Sequence, residues 1–131
     1  MTSASHFILY VADPARSTAF YRGVLGIAPR LDVPGMTEFE LPGGGVLGLM
    51  PETGIRKLLG DAWSTPVIRH DTPRAELYLV VDDPRAYHAR ALAHGARELS
   101  SLTPRDWGHS VAYVRDLDDY VLAFAREHVP A

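Results

Sequence analysis

The sequence predicts an α+β fold in which two βαβββ modules pair and form a curved sheet around a cleft. The main observation is an internal repeat, because residues 6–14 recur as residues 76–84 and each copy is a strand candidate that ends in Asp-Pro. A helix candidate, a glycine and short strand candidates follow each copy in the same order. Neither unit has enough strands to enclose a core alone, so the two units are expected to pair side by side.

The composition limits the class of protein. The 131 residues suit one domain, or two half-size modules that share a core. Apolar residues make up 47% and charged residues 22%, which excludes the disordered class. The net charge is −3 without a basic block, so we expect no nucleic-acid partner. The absence of cysteine excludes disulfides, thiolate metal sites and a cysteine nucleophile.

Neither a targeting segment nor a membrane span is visible in the sequence. The first five residues lack the charged and apolar regions of a signal peptide, and no apolar run approaches spanning length. We therefore expect a cytoplasmic protein that has no membrane partner.

The first strand candidate covers residues 6–12 and alternates between two faces. One face carries the polar groups and could line the cleft, whereas the other is expected to be core beneath a helix. His6, Ile8, Tyr10 and Ala12 lie on the first face; Phe7, Leu9 and Val11 lie on the second.

Helix signals follow each copy of the repeat. Asp13 is placed to cap a helix that has Pro14 at its first position, because proline needs no N–H donor there. Gly26 fits the left-handed position that ends this helix. Asp83-Pro84 and Gly95 repeat the pattern in the second copy. The positions expected to be buried in the second helix are Tyr87, Ala91 and Leu92.

The remaining strand candidates complete both modules. They cover residues 27–33, 37–41 and 46–50 in the first module and residues 96–99, 110–115 and 120–126 in the second. We expect a single domain over residues 1–131, with module 1 at about 5–50, a linker at about 51–74 and module 2 at about 75–128. A short helix is possible in the linker at residues 55–60.

Several short motifs occur in an order and spacing that together identify one superfamily. They are Val11-Ala12-Asp13-Pro14, Phe20-Tyr21, Leu25-Gly26, Phe39-Glu40-Leu41-Pro42-Gly43-Gly44, Val81-Asp82-Asp83, Gly95-Ala96, Trp107-Gly108 and Asp116-Leu117-Asp118. From His6 to about Glu127 the chain resembles the vicinal oxygen chelate superfamily, which includes glyoxalase I, extradiol dioxygenases, fosfomycin-resistance enzymes and bleomycin-resistance proteins. The resemblance implies a small organic molecule bound in the cleft between the modules, and it implies a homodimer.

The resemblance also gives the positions of metal ligands. In the metal-dependent members, strand positions that point into the cleft supply His, Glu or Gln, and here they correspond to His6, Gly48, Glu76 and Ala123. Gly48 and Ala123 have no ligand atom, whereas a metal that activates substrate needs about three protein ligands. We therefore expect no cofactor, although a divalent metal with an incomplete ligand set stays open. Further candidates for a third ligand are His70, Asp71 and His109.

The same positions suggest the chemistry of the cleft. If Gly48 and Ala123 face it, their missing side chains would widen it and make it suit an organic ligand held mainly by burial. Glu76, assisted by His6, is the candidate proton-transfer base if it is buried, and a structural hydrogen-bond acceptor otherwise. The candidate substrate-binding residues are Tyr10, Met50, Trp63, Tyr78, Trp107, His109 and Tyr113.

Two classes of function stay open. The first is a binding protein with an apolar, metal-free cavity, like the drug-binding members of the superfamily, and Gly48 and Ala123 favour it. The alternative is a lyase, isomerase or dioxygenase-type enzyme that uses Glu76 and His6 with a rearranged or absent metal site.

Overall fold

The computed structural model describes residues 1–63 and 73–128. It confirms the predicted α+β class and the β-α-β-β-β order of both modules, and the short helix considered for the linker at residues 55–60 is present, beginning earlier at Glu52. The first module contains β1 (His6–Val11), α1 (Pro14–Leu25), β2 (Leu31–Val33), β3 (Met36–Glu40) and β4 (Val46–Pro51); the linker contains α2 (Glu52–Leu59) and a 3₁₀ helix (Gly60–Ala62); the second module contains β5 (Glu76–Val80), α3 (Pro84–Ala93), β6 (Arg97–Pro104), β7 (His109–Arg115) and β8 (Val121–Glu127).

The chain divides into two compact units, each with one four-stranded sheet. The first unit contains Met1–Arg22 and Gly26–Arg69, and the second contains Gly23–Leu25 and His70–Ala131. The strand orders are β1-β4-β3-β2 and β5-β8-β7-β6. In each sheet the first and last strands of the module pair in parallel and the other neighbours pair antiparallel. The repeat in the sequence is therefore a repeat of sheet topology.

The predicted caps start both repeated helices. The carboxylate of Asp13 accepts a hydrogen bond from the Arg16 amide at 3.2 Å, and that of Asp83 accepts one from the Ala86 amide at 3.2 Å. Gly26 ends α1 in the left-handed conformation, with φ 69°. Helix α3 ends at Ala93, so His94 rather than Gly95 occupies its C-terminal cap position.

The core of each unit follows strand alternation, with exceptions at the sheet edges. Phe39, Leu47 and Leu49 are fully buried in the first unit, as are Leu122 and Phe124 in the second. The prediction that Phe7 is core is wrong, because it lies near the start of edge strand β1 and 67% of it is exposed. The predicted burial of Leu92 in α3 is also wrong, whereas Ala91 is fully buried as predicted.

Some element boundaries differ from the prediction for local reasons. Strand β2 begins at Leu31, four residues later than expected at Ile27, because the residues that follow α1 form a bend. Strand β6 continues to Pro104 because it forms a hairpin with β7, in which the Arg105 amide donates to the His109 carbonyl at 2.8 Å. No helix in the described part of the chain is long and apolar enough to cross a membrane.

Candidate functional site

The first unit contains a row of three residues on neighbouring strands: Ile8, Gly48 and Glu38. A Cβ atom at Gly48 would collide with Ile8 Cδ1 and would lie 3.2 Å from the sulfur of Met36. The expectation that Gly48 widens a cavity is therefore wrong within this unit, because the Ile8 side chain already fills that space.

Charged side chains form a network on the same face. His6 Nδ1 lies 3.3 Å from one oxygen of Glu38, while Nε and Nη2 of Arg30 each lie 3.0 Å from the other. Only 14% of the Glu38 side chain is exposed, so this largely buried carboxylate forms an ion pair with Arg30 and lies beside the imidazole of His6. His6 is therefore attached to a carboxylate that the sequence analysis did not single out. The alternation of Glu38 and Glu40 along β3 was the signal that could have found it.

The other predicted contact residues of the first unit lie together. Tyr10 neighbours Met50 in the strand register, and its ring meets the Trp63 ring edge to face with centroids 6.1 Å apart. Trp63 also lines a surface pocket of about 510 Å³. The remaining lining residues of that pocket are Thr53, Arg56, Lys57 and Gly60.

The second unit contains the equivalent row, in which Ala123 stands between Tyr78 and Tyr113. Ala123 is fully buried in a cluster with Val111 and Ala125, and both tyrosines pack against this cluster. The expected widening at Ala123 is wrong for the same reason as at Gly48, since neighbouring side chains cover the small residue. We call this surface of β5, β8 and β7 the Tyr78 face.

A hydrogen-bonded chain of three side chains borders the Tyr78 face. Nε1 of Trp107 donates to the Tyr78 hydroxyl at 2.9 Å, and that hydroxyl lies 2.5 Å from Nδ1 of His109. The rings of Tyr78 and His109 stack with their centroids 5.8 Å apart. Gly108, with φ 88°, shapes the hairpin turn that brings Trp107 and His109 to this position.

Charged groups lie near Tyr113, the other tyrosine of the Tyr78 face. The guanidinium carbon of Arg105 lies 5.2 Å from the centre of the Tyr113 ring. Partial burial, followed by the charges of Glu76 and Tyr78, raises the pKa of Tyr113 above its ordinary value, while Arg105 acts in the opposite direction. Glu76 itself is exposed at the start of β5, so the burial expected for a proton-transfer base is not present within this unit.

The model of the Glyoxalase/Bleomycin resistance protein/Dioxygenase superfamily matches residues 3–124. The chain belongs to this superfamily. No curated protein sequence matches the chain.

Several solved structures share the fold of this chain. A glyoxalase-related enzyme from Fulvimarina pelagi is 19% identical, with a TM-score of 0.80 over 97% of this chain and 89% of that one. A glyoxalase/bleomycin resistance protein/dioxygenase family enzyme from Burkholderia phytofirmans is 17% identical, with a TM-score of 0.79 over 95% and 98%. A protein from Agrobacterium tumefaciens is 26% identical, with a TM-score of 0.72 over 98% and 100%. These likenesses support the fold.

The residues at the metal-ligand positions implied by the superfamily resemblance do not fit a divalent metal. Gly48 and Ala123 carry no donor atom, and His6 is attached to Glu38. In residues 1–63 and 73–128 no group of three or more His, Asp or Glu side chains could hold a metal ion. His109, one candidate for a third ligand, has Nδ1 occupied by Tyr78. The other two candidates, His70 and Asp71, lie outside the described residues.

The structure thus sorts the predicted site residues into two groups, one in each unit. The expectation that His6 and Glu76 both point into a cleft between the modules concerns both units and stays a prediction. Sequence analysis did not single out Arg105, because its position over Tyr113 depends on how the β6–β7 hairpin folds back. The first group is His6, Tyr10, Met50 and Trp63; the second is Glu76, Tyr78, Trp107, His109 and Tyr113.

Proposed function

We propose that this glyoxalase-superfamily protein binds a small organic molecule on the Tyr78 face, without the divalent metal used by metal-dependent members. The observation that carries the proposal is the position of the Tyr78 hydroxyl between Trp107 and His109. Oriented polar groups beside aromatic surface are the usual composition of a site for an organic ligand, because the rings supply burial and the polar groups fix orientation.

The exposure of the aromatic groups supports this site. Trp107 is 56% exposed although its indole N–H is already hydrogen-bonded to Tyr78. Its ring therefore offers a large apolar surface that is held in one orientation. Burial of such a surface beneath a ligand contributes about 25 cal/mol for each Å² removed from water.

The proposal is tested with a thermal-shift screen of small organic compounds on the intact protein. A ligand at a hundred times its Kd stabilises the folded state by about 2.7 kcal/mol. We expect hits whose affinity falls in Tyr78→Phe and Trp107→Leu. Tyr87→Phe is the matched control, because it removes a phenol hydroxyl on α3 that makes no hydrogen bond within the described residues. Hits that bind both site variants as well as the wild type would overturn the proposed site.

Elemental analysis of the purified protein tests the metal-free part of the proposal separately. We expect less than stoichiometric divalent metal, and we expect added divalent cations to leave the melting temperature unchanged. A tightly held, stoichiometric metal would contradict this part, since it would require donors beyond those of the described residues.

An enzyme of the lyase or isomerase type is the second candidate function. The specific observation in its favour is the 2.5 Å separation of the Tyr78 hydroxyl and His109 Nδ1, because a phenol and an imidazole so placed can exchange a proton. If the protein is such an enzyme, His109→Gln should lower kcat by about 10²-fold or more for a substrate found in a screen. Unchanged turnover in that variant would exclude the pair as the proton-transfer group. The same screen with Glu76→Gln and His6→Gln tests the sequence-based catalytic candidates.

A homodimer and a cytoplasmic location are proposed from the superfamily resemblance and the sequence alone. Light scattering at micromolar concentration tests the first, and a monomer mass would contradict it. Fractionation of the cells that make the protein tests the second.

A further inference from the structure

Among the described residues, the guanidinium group of Arg105 has hydrogen-bond acceptors but no counter-charge. Its Nη2 donates to Ser100 Oγ at 2.8 Å, to the Ser101 carbonyl at 3.1 Å and to the Val111 carbonyl at 2.8 Å. Its Nε is buried and has no acceptor among the residues that the structure describes. Within the same residues no carboxylate lies within ion-pair distance of this group. A half-buried charge that lacks a counter-ion costs free energy, which an anion nearby would offset.

The hydrogen bonds of Tyr78 favour one tautomer of His109. An indole N–H can only donate, so the Tyr78 oxygen accepts from Trp107. The phenol hydrogen then points to Nδ1 of His109, and in the reverse arrangement it would have no acceptor among the described residues. This assignment from the hydrogen-bond network leaves the proton of neutral His109 on Nε2. That N–H has no acceptor in the described part of the chain, so it is free to donate to a ligand.

We propose that the ligand of the Tyr78 face is an organic anion, namely a carboxylate attached to an apolar or aromatic group. Arg105 supplies the compensating charge, and the Nε2–H of His109 donates a hydrogen bond. The rings of Tyr113 and Trp107 pack against the apolar part. This inference rests on the proposed function, and it adds the charge and the chemical class of the ligand.

Two carboxylates on the same sheet surface oppose such a ligand. The charge of Glu76 reaches Tyr113, and Glu127 stands opposite His109 in the β7–β8 register. Neither forms an ion pair with Arg105 or His109 within the described residues. Neutralising Glu76 should therefore tighten the binding of an anion and leave a neutral ligand unaffected.

Benzoate and benzamide are suitable probes, because they have the same ring and nearly the same shape but differ in charge. Their affinities are measured by NMR titration of the intact protein, with the Trp107 indole resonance as the reporter. We expect benzoate to bind about tenfold more tightly than benzamide, as a charge-assisted hydrogen bond is roughly twice as strong as a neutral one. Added salt should weaken benzoate binding only.

Variants distinguish a role of Arg105 in ligand binding from a role in stabilising the β6–β7 hairpin. Arg105→Gln should remove the roughly tenfold preference for benzoate while leaving benzamide affinity within about twofold. Arg85→Gln, an exposed substitution on α3, has the same change in charge and should preserve the preference. Glu76→Gln should increase the preference. If Arg105→Gln unfolds the hairpin, the benzoate-to-benzamide ratio and its salt dependence in the wild type still decide the question.

The outcomes distinguish this inference from the proposed function. Equal binding of benzoate and benzamide at Trp107 would overturn the anion proposal and leave small-molecule binding intact. If benzoate fails to shift the Trp107 indole, the anion proposal is overturned whatever the compound screen yields. A preference for benzoate that persists in Arg105→Gln would overturn the role of Arg105.

The tautomer of His109 is tested separately by NMR. Ring ¹⁵N spectra at a pH where the imidazole is neutral should show a protonated Nε2 and an acceptor Nδ1. Tyr78→Phe should mix the two tautomers, whereas Tyr87→Phe should not. A protonated Nδ1 in the wild type would contradict the assignment.

Discussion

The two sheets have the same strand order, yet their equivalent surfaces carry different chemistry. In the first unit Gly48 stands between Ile8 and Glu38, and in the second Ala123 stands between Tyr78 and Tyr113. A small residue at the middle of the row does not create a cavity in either unit, because its neighbours fill the space. The comparison teaches that the flanking side chains, rather than the repeated backbone, determine what each surface can bind.

The two surfaces also differ in how many of their charged and polar groups have partners among the described residues. Glu38 forms an ion pair with Arg30 and lies 3.3 Å from His6 Nδ1, so the polar groups of this network are partners of one another. In the second unit Arg105 and His109 retain N–H groups without acceptors among the described residues. This difference is why we propose ligand binding at the second surface and a structural role for the first network.

The largest expected loss of stability comes from enlarging Ala123, the small residue at the middle of the row in the second unit. Ala123→Leu should lower the free energy of unfolding by about 1–3 kcal/mol, because the extra atoms must enter a fully buried cluster beneath two tyrosines. Urea unfolding followed by circular dichroism measures this change.

Gly48→Ala is the matched change in the first unit. Its Cβ meets only the flexible ends of Ile8 and Met36, so the cost should stay within about 1 kcal/mol. Adding Ile8→Val, which removes the colliding methyl group, should recover the loss. A larger cost for Gly48→Ala than for Ala123→Leu would reverse the proposed difference in packing.

A smaller effect is expected from breaking the charge network of the first unit. Glu38→Gln should lower the free energy of unfolding by about 1 kcal/mol, because a mostly buried carboxylate loses its ion pair with Arg30 and its charge beside His6. Glu40→Gln is the control: that side chain is 72% exposed and lies 3.7 Å from Arg30, so its loss should cost almost nothing. Equal costs for both variants would show that the network has no structural role.

The smallest effect should appear in the alkaline stability of the second unit. The raised pKa of Tyr113 means that the folded state holds the phenol proton more tightly than the unfolded state. The unfolded phenol ionises first as the pH rises past about 10, so its contribution to stability is complete below that pH and declines above it. Tyr113→Phe should reduce this decline in urea unfolding measured on both sides of pH 10, and Glu76→Gln should reduce it less. A decline unchanged in Tyr113→Phe would assign it to other groups.

The sequence predicted the parts of the fold that depend on local chemistry. Asp13 and Asp83 cap their helices as expected, because a carboxylate followed by proline is a local signal. Strand alternation correctly placed His6 on the polar surface of its sheet, where it lies 3.3 Å from Glu38. It did not predict that Ile8 covers Gly48, since alternation gives the face of a side chain and not the direction in which it extends.

Arg105 was missed for a different reason. Its position depends on the β6–β7 hairpin, whose register shifts between Glu98 and Thr103. Such irregularities leave no pattern in a single sequence, because they depend on pairing with another strand. Phe7 was assigned to the core because alternation carries no information about which strand lies at the edge of a sheet.

The two tryptophans allow a direct test of ligand binding at the Tyr78 face. Their indole N–H resonances are assigned with Trp63→Phe and followed while hits from the compound screen are added to the protein. The account predicts that saturating ligand shifts the Trp107 resonance, with an affinity that falls in Tyr78→Phe. Hits that stabilise the protein while the Trp107 resonance stays in place would contradict it.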